Sequence, residues 1–164
     1  MKAKARAAAE ARWPALPYAA WRDTCQALHL WTQIVGKVRL ELTPYINHWW
    51  QVPLYVSARG LTTSPIPYAN GVFEVAFDFI AHNLSITTSQ GGTKYLPLLP
   101  RSVAIFYQEF MRALAALGIH VTINTMPSEI QNAIPCDEDH EHGSYDPVYA
   151  HRFWQILVQT ATVM

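Results

Sequence analysis

Residues Val72 to Ile80 read Val-Phe-Glu-Val-Ala-Phe-Asp-Phe-Ile, which puts Phe73, Val75, Phe77 and Phe79 on one parity and Glu74, Ala76, Asp78 and Ile80 on the other. A period of two is the signature of a strand with one face inside, because successive side chains leave a strand on opposite sides. Turn signals bracket it. Ala69-Asn70-Gly71 precedes it, and Asn-Gly readily takes the positive φ of a tight hairpin; His82-Asn83 follows. Leu84 to Thr88 then returns, Gln90-Gly91-Gly92 turns again, and Thr93 to Leu98 makes a further strand. This succession predicts an antiparallel meander.

Upstream, Trp49 to Ala58 is rich in aromatic and β-branched residues and predicts a strand. Arg59-Gly60 turns the chain into Leu61 to Tyr68, where Pro65 and Pro67 cannot donate ladder hydrogen bonds, so that strand lies at an edge or breaks. Ile119, Val121 and Ile123 alternate as one more strand.

Two long segments carry the helical period instead. Trp21, Thr24, Leu28, Trp31, Val35, Val38 and Leu42 recur at spacings of three and four, and the stripe predicts a helix from Tyr18 to about Leu42, ended by Thr43-Pro44. Val103, Phe106, Tyr107, Phe110, Leu114 and Leu117 mark a second helix from Ser102 to Leu117, with Gly118 as the glycine that closes it. A last helix starts near Val148 and carries Phe153, Trp154, Ile156, Leu157 and Val158. The order α–β–β–β–β–β–α–β–α predicts an α+β fold, a mostly antiparallel sheet of five or six strands with helices packed on one face.

Of the 164 residues, 51% are hydrophobic and 15% charged, a balance that excludes intrinsic disorder over most of the chain. Twelve basic and twelve acidic residues cancel, so no global field draws the chain to nucleic acid, and none is expected as a partner. No run reaches the length of a membrane span, so no membrane partner is expected either. Residues 1–12, MKAKARAAAEAR, resemble the basic start of a signal peptide, but no apolar core follows them; a frayed, alanine-rich tail is expected there, ahead of one domain over 13–164. Two cysteines, Cys25 among apolar neighbours and Cys136 in a polar loop, form no disulfide framework or finger, which fits a reducing cytoplasm.

Four constellations can carry chemistry. Asn47, His48 and Trp50 open the first expected strand; an exposed tryptophan beside His48 and Asn47 suits stacking on a small polar ligand. Arg59, Thr62 and Ser64 surround a glycine turn, where an arginine fork and backbone N–H groups can hold a carboxylate or phosphate. Gln33 and Lys37, one helical turn apart, can reach over a sheet edge toward a pocket. In Asp137 to His142, Asp139, His140 and His142 offer weak metal-ligand candidates, against the reading of a solvated, mobile, metal-free acidic loop. Glu74 and Asp78 lie about 13 Å apart along their strand, too far for a carboxylate pair. No nucleophile elbow, zinc-protease or dinucleotide signature occurs, and no cofactor is implied.

The stretches Trp13 to Tyr18, Trp21 to Thr24, Leu28 to Lys37, Asn47 to Trp50, Arg59 to Tyr68, Pro100 to Val103 and His151 to Trp154 together resemble the bacterial domain-of-unknown-function family 5996. The resemblance brings no activity, cofactor or catalytic residue. It implies members about twice this length, of which this chain resembles the first half. The final helix has no charged residue after Arg152, so it needs cover on more than one side, from a second copy in a homodimer or from that second half. A small-ligand-binding or assembly module is expected; the alternative is an enzyme, hydrolytic in character, working through His48 and Arg59 or through His140 and His142.

Overall fold

The computed structural model describes residues 13–163. The expected tail over 1–12 lies outside the described residues. Helix α1 spans Tyr18–Leu42. A single 3-10 turn follows at Asn47–Trp49. Six strands come next: β1 (Tyr55–Val56), β2 (Gly60–Thr62), β3 (Ile66–Tyr68), β4 (Gly71–Asp78), β5 (Asn83–Thr88) and β6 (Thr93–Pro97). Helices α2 (Val103–Ala115) and α3 (Pro147–Val163) complete the order.

The sheet is antiparallel throughout, in the order β1-β2-β4-β5-β6, with β3 on β4. β2 and β3 occupy successive stretches of one edge of β4: Leu61 pairs with Phe77 and Ile66 with Phe73. Between them the ladder breaks at Pro65, while Pro67 lies within β3 opposite Val72, and Thr63 bridges the gap. Its backbone N–H donates to Val75 O and its hydroxyl accepts from Val75 N, each at 3.0 Å.

The alternating face of β4 is the floor of the core. Phe73, Val75, Phe77 and Phe79 are all essentially inaccessible, and one apolar cluster joins them to Trp31, Ile34, Val35 and Val38 of α1 and to Phe106, Phe110 and Leu114 of α2. Trp31 stacks on Phe106 with ring centroids 4.7 Å apart. α1 runs to Leu42 as its stripe predicts, with Gly36 buried inside it. α2 closes on Gly118 at φ +75°, where Ile119 N donates to Leu114 O and Gly118 N to Ala115 O, the paired bonds of a glycine-terminated helix.

Two expectations are corrected. The strand over Trp49 to Ala58 shrinks to Tyr55–Val56. His48 and Trp49 take positive φ, and the amide oxygen of buried Gln51 accepts from Ile46 N at 2.9 Å, so the chain curls before it can extend. The segment Ile119 to Ile123 forms no strand: Ile119 and Ile123 are buried, but the segment joins no ladder. Alternation reports which side chains go inside, not whether the backbone finds a ladder partner. The order is therefore six strands and then two helices, without a strand between those helices. Cys136 lies in a loop, as its setting in the sequence implies, and is fully buried there, its N–H bonded to Thr125 O at 2.8 Å. Among the described residues no helix is long and apolar enough to cross a membrane.

Candidate functional site

The rows of α1 next to its core stripe present His29, Thr32, Gln33, Gly36, Lys37 and Leu40 at spacings of three and four. These side chains form one wall of a groove of about 490 Å³. Val52, Pro53, Leu54 and Leu61 supply an apolar opposite wall, and Ser128 and Glu129 close one end.

Gln33 holds that end in place. Its Oε1 accepts from Ser128 N at 2.8 Å, and its Nε2 donates to Ser128 O at 3.0 Å. A side-chain amide paired this way copies a backbone ladder pair and satisfies donor and acceptor together. Its Nε2 also lies 3.1 Å from His29 Nε2. Lys37 is half-buried in the groove, and among the described residues no carboxylate lies within salt-bridge distance of it.

Beyond His29 and Glu129, which border both spaces, lies a second chamber of about 430 Å³. The loop from Ile130 to Ile134 and the far end of the Asp137 to His142 segment line it. That acidic segment keeps Asp137, Glu138, His140 and Glu141 exposed, as its charge implies, but turns Asp139 inward. Asp139 is 1% exposed. Its Oδ1 accepts from Glu141 N and His142 N at 3.0 Å each, and its Oδ2 lies 2.9 Å from His142 Nδ1. Its backbone oxygen accepts from Ala104 N, and that of His142 from Val103 N. With Ser102 Oγ accepting from Ile105 N at 3.3 Å, the segment caps the otherwise unpaired N–H groups of α2.

The other residues singled out from the sequence go to separate places. Gln33 and Lys37 share the groove, as their spacing implies. Asn47, His48 and Trp50 sit exposed on the 3-10 turn and do not line the groove. Arg59 pairs with Asp78 at 2.6 Å. Burial works to raise the Asp78 carboxyl, but N–H groups of Ala81 and Ile80 and the Arg59 guanidinium outweigh it and hold the group below its ordinary value. Thr62 donates to Glu74. Ser64 accepts from Arg39 Nη2 at 3.0 Å, beside the contact of Arg39 with Pro53 O. His140 is exposed. Among the described residues no three His, Cys, Asp or Glu side chains converge as a metal site requires.

Sequence reasoning missed His29, although it stands one turn before Gln33 in the same row. It also missed Ser128, which no local pattern links to α1, and the orientation of His142 by Asp139, whose spacing of three was visible.

A family model described as a family of unknown function, DUF5996, matches residues 13–164. No curated protein and no solved structure matches the chain.

Proposed function

The chain belongs to DUF5996, and we propose that it is a small-ligand-binding module whose groove beside α1 takes a molecule with an apolar body and an anionic group. One observation carries this reading: Lys37, without a carboxylate partner among the described residues, lines the same groove as the apolar Val52, Leu54 and Leu61. A half-buried cation is favoured by a counter-charge, and an amphipathic anion supplies both contacts. Calorimetric titration with a series of medium-chain fatty acids and aryl carboxylates tests it. Binding by carboxylates, at least tenfold weaker for the matching alcohols and in Lys37→Met, supports the reading. Equal binding of acids and alcohols sinks it. Both cysteines are free thiols, which suits a reducing cytoplasm.

A second role, assembly with another copy, is favoured by the surface around the 3-10 turn. Tyr45, Ile46, Trp49, Trp50 and Tyr55 are exposed, and residues 43–58 contain no Lys, Arg, Asp or Glu. Exposed aromatic area depleted of charge is the composition of an interface core. Light scattering at micromolar concentration should find a dimer that Trp49→Ser/Trp50→Ser converts to a monomer; a monomeric parent chain removes this role.

A further inference from the structure

We infer that the second chamber is a general-base site for hydrolysing small uncharged or cationic carboxylic esters, with His142 as the base and Asp139 as the residue that positions it. The inference stands apart from the groove reading and does not depend on it.

The geometry is that of an oriented imidazole. Asp139 accepts from two backbone N–H groups through Oδ1, so it acts in this turn as an acceptor. Its third contact, Oδ2 to His142 Nδ1 at 2.9 Å, then places the imidazole proton on Nδ1 and leaves the lone pair on Nε2. No hydrogen bond within the described residues engages that Nε2, and His142 lines the chamber. This is the arrangement by which a buried carboxylate fixes the tautomer of a catalytic histidine.

The support is rigid. Backbone oxygens of Asp139, His142 and Gly143 accept from Ala104, Val103 and Arg101. Gly143 lies so close to Arg101 that a Cβ there would stand 2.7 Å from its carbonyl oxygen. The dyad is thereby fixed to the start of α2, and precision of this kind is what a proton-transfer site needs.

The lining selects the substrate. Glu129 and Glu141 border the chamber, and no lysine or arginine does, so an anionic substrate is disfavoured. Leu30, Ile130 and Ile134 receive an apolar acyl group. No serine, threonine or cysteine lines the chamber, so the nucleophile is water. His142 Nε2 takes one water proton as the water oxygen bonds to the ester carbonyl carbon. Collapse breaks the acyl C–O bond, and the imidazolium returns that proton to the leaving alkoxide, giving one acid and one alcohol. The side-chain amides of Gln26 and Asn132 are N–H donors in the same space for the developing oxyanion.

The test follows hydrolysis of p-nitrophenyl acetate, acetylcholine and mono-p-nitrophenyl succinate by the whole chain, against free imidazole at equal concentration. The expected result is turnover of one of the first two at least ~100-fold above imidazole, the scale of a positioned base, and at least tenfold slower turnover of the anionic ester. His142→Gln should lose about 100-fold while His140→Gln loses none. His142→Gly should regain rate on addition of imidazole, a response that a structural histidine does not give. Asp139→Asn should lower kcat while leaving KM nearly unchanged, because it removes the acceptor that orients the imidazole without altering the lining that holds the substrate. Rates no greater than imidazole with all three esters, or a folded His142→Gln that keeps the parent rate, overturn the inference.

Discussion

The hydroxyl of Tyr145 lies 2.8 Å from Nδ1 of His82, joining the segment before α3 to the turn that follows β4. Burial, with the charges of Asp78 and Asp146 adding to it, raises the phenol well above its ordinary value, so the hydroxyl keeps its proton and donates. Burial first, and the neighbouring His151 second, push the His82 imidazole below its ordinary value despite the opposing pull of Asp78, so it accepts as the neutral form. Since the folded state binds this proton less readily than the unfolded chain, the contribution of His82 to stability is complete above about pH 6.5 and is lost as the pH falls from there through the lowered folded value. Urea unfolding between about pH 5 and about pH 8 should show this slope, and His82→Gln should remove its share of it. An unchanged slope in the variant contradicts the assignment.

Phe77→Ala should destabilise the chain by about 3–5 kcal/mol, the range for truncating a well-packed core aromatic. Phe77 is 1% exposed, stacks on Phe79 with centroids 6.1 Å apart, and belongs to the apolar cluster shared with α1 and α2. Denaturant unfolding measures the loss; a value under about 1 kcal/mol would mean that the core collapses around the missing ring.

Gly60→Ala should cost about 2–3 kcal/mol although it adds only a methyl group. A Cβ at Gly60 would stand 1.8 Å from Phe77 O, so β2 would have to leave the β4 ladder. Ala at Gly91, where a Cβ meets nothing but the backbone sits at φ +84°, separates steric contact from backbone strain as a control. Equal stability of Gly60→Ala and the parent rejects the close approach.

The Cys136 thiol is pushed up to about 11, by burial first and by the nearby carboxylates of Asp139 and Asp137 against the pull of Lys37. The thiolate is the reactive form, so at about pH 8 iodoacetamide should alkylate half-exposed Cys25 well ahead of Cys136 in the folded chain, and both alike in denaturant. Mass spectrometry of the labelled peptides decides it.

Gln33→Ala should weaken carboxylate binding more than tenfold while leaving the far-ultraviolet dichroism unchanged. The variant removes the pair of bonds to Ser128 that forms the groove's end, not a core contact. Retained affinity would show that the groove does not need that wall.

What could be read in advance follows a physical division. The β4 face, the α1 stripe and the cap at Gly118 all arise from the period of burial or from one residue's conformational freedom, which neighbouring residues express. The curled turn at His48 and Trp49 goes against local preference, since bulky residues rarely take positive φ, and the bonds of Gln51 to Ile46 N and of Val52 N to Trp49 O close it. The groove depends on partners far apart in the chain, Gln33 with Ser128, and no periodicity encodes such a pairing. In the acidic run at Asp137 to His142 the exposed charges follow from composition, but the burial of Asp139 does not. The N–H groups at the start of α2, an unpaired set that needs acceptors, account for why the backbone at Asp139 and His142 is drawn in.

The clasp between Gln33 and Ser128 joins residues 95 apart in sequence through two hydrogen bonds. Each such bond contributes about 0.5–1.5 kcal/mol net, whereas a domain's whole stability is about 5–15 kcal/mol. The end wall therefore detaches far more often than the sheet comes apart, and the Ser128 amide should exchange with solvent by local opening while the amides of β4 wait for global unfolding. At any instant some molecules have no complete groove. A ligand that fits it recruits the closed population by mass action, so its measured affinity includes the cost of fastening that wall.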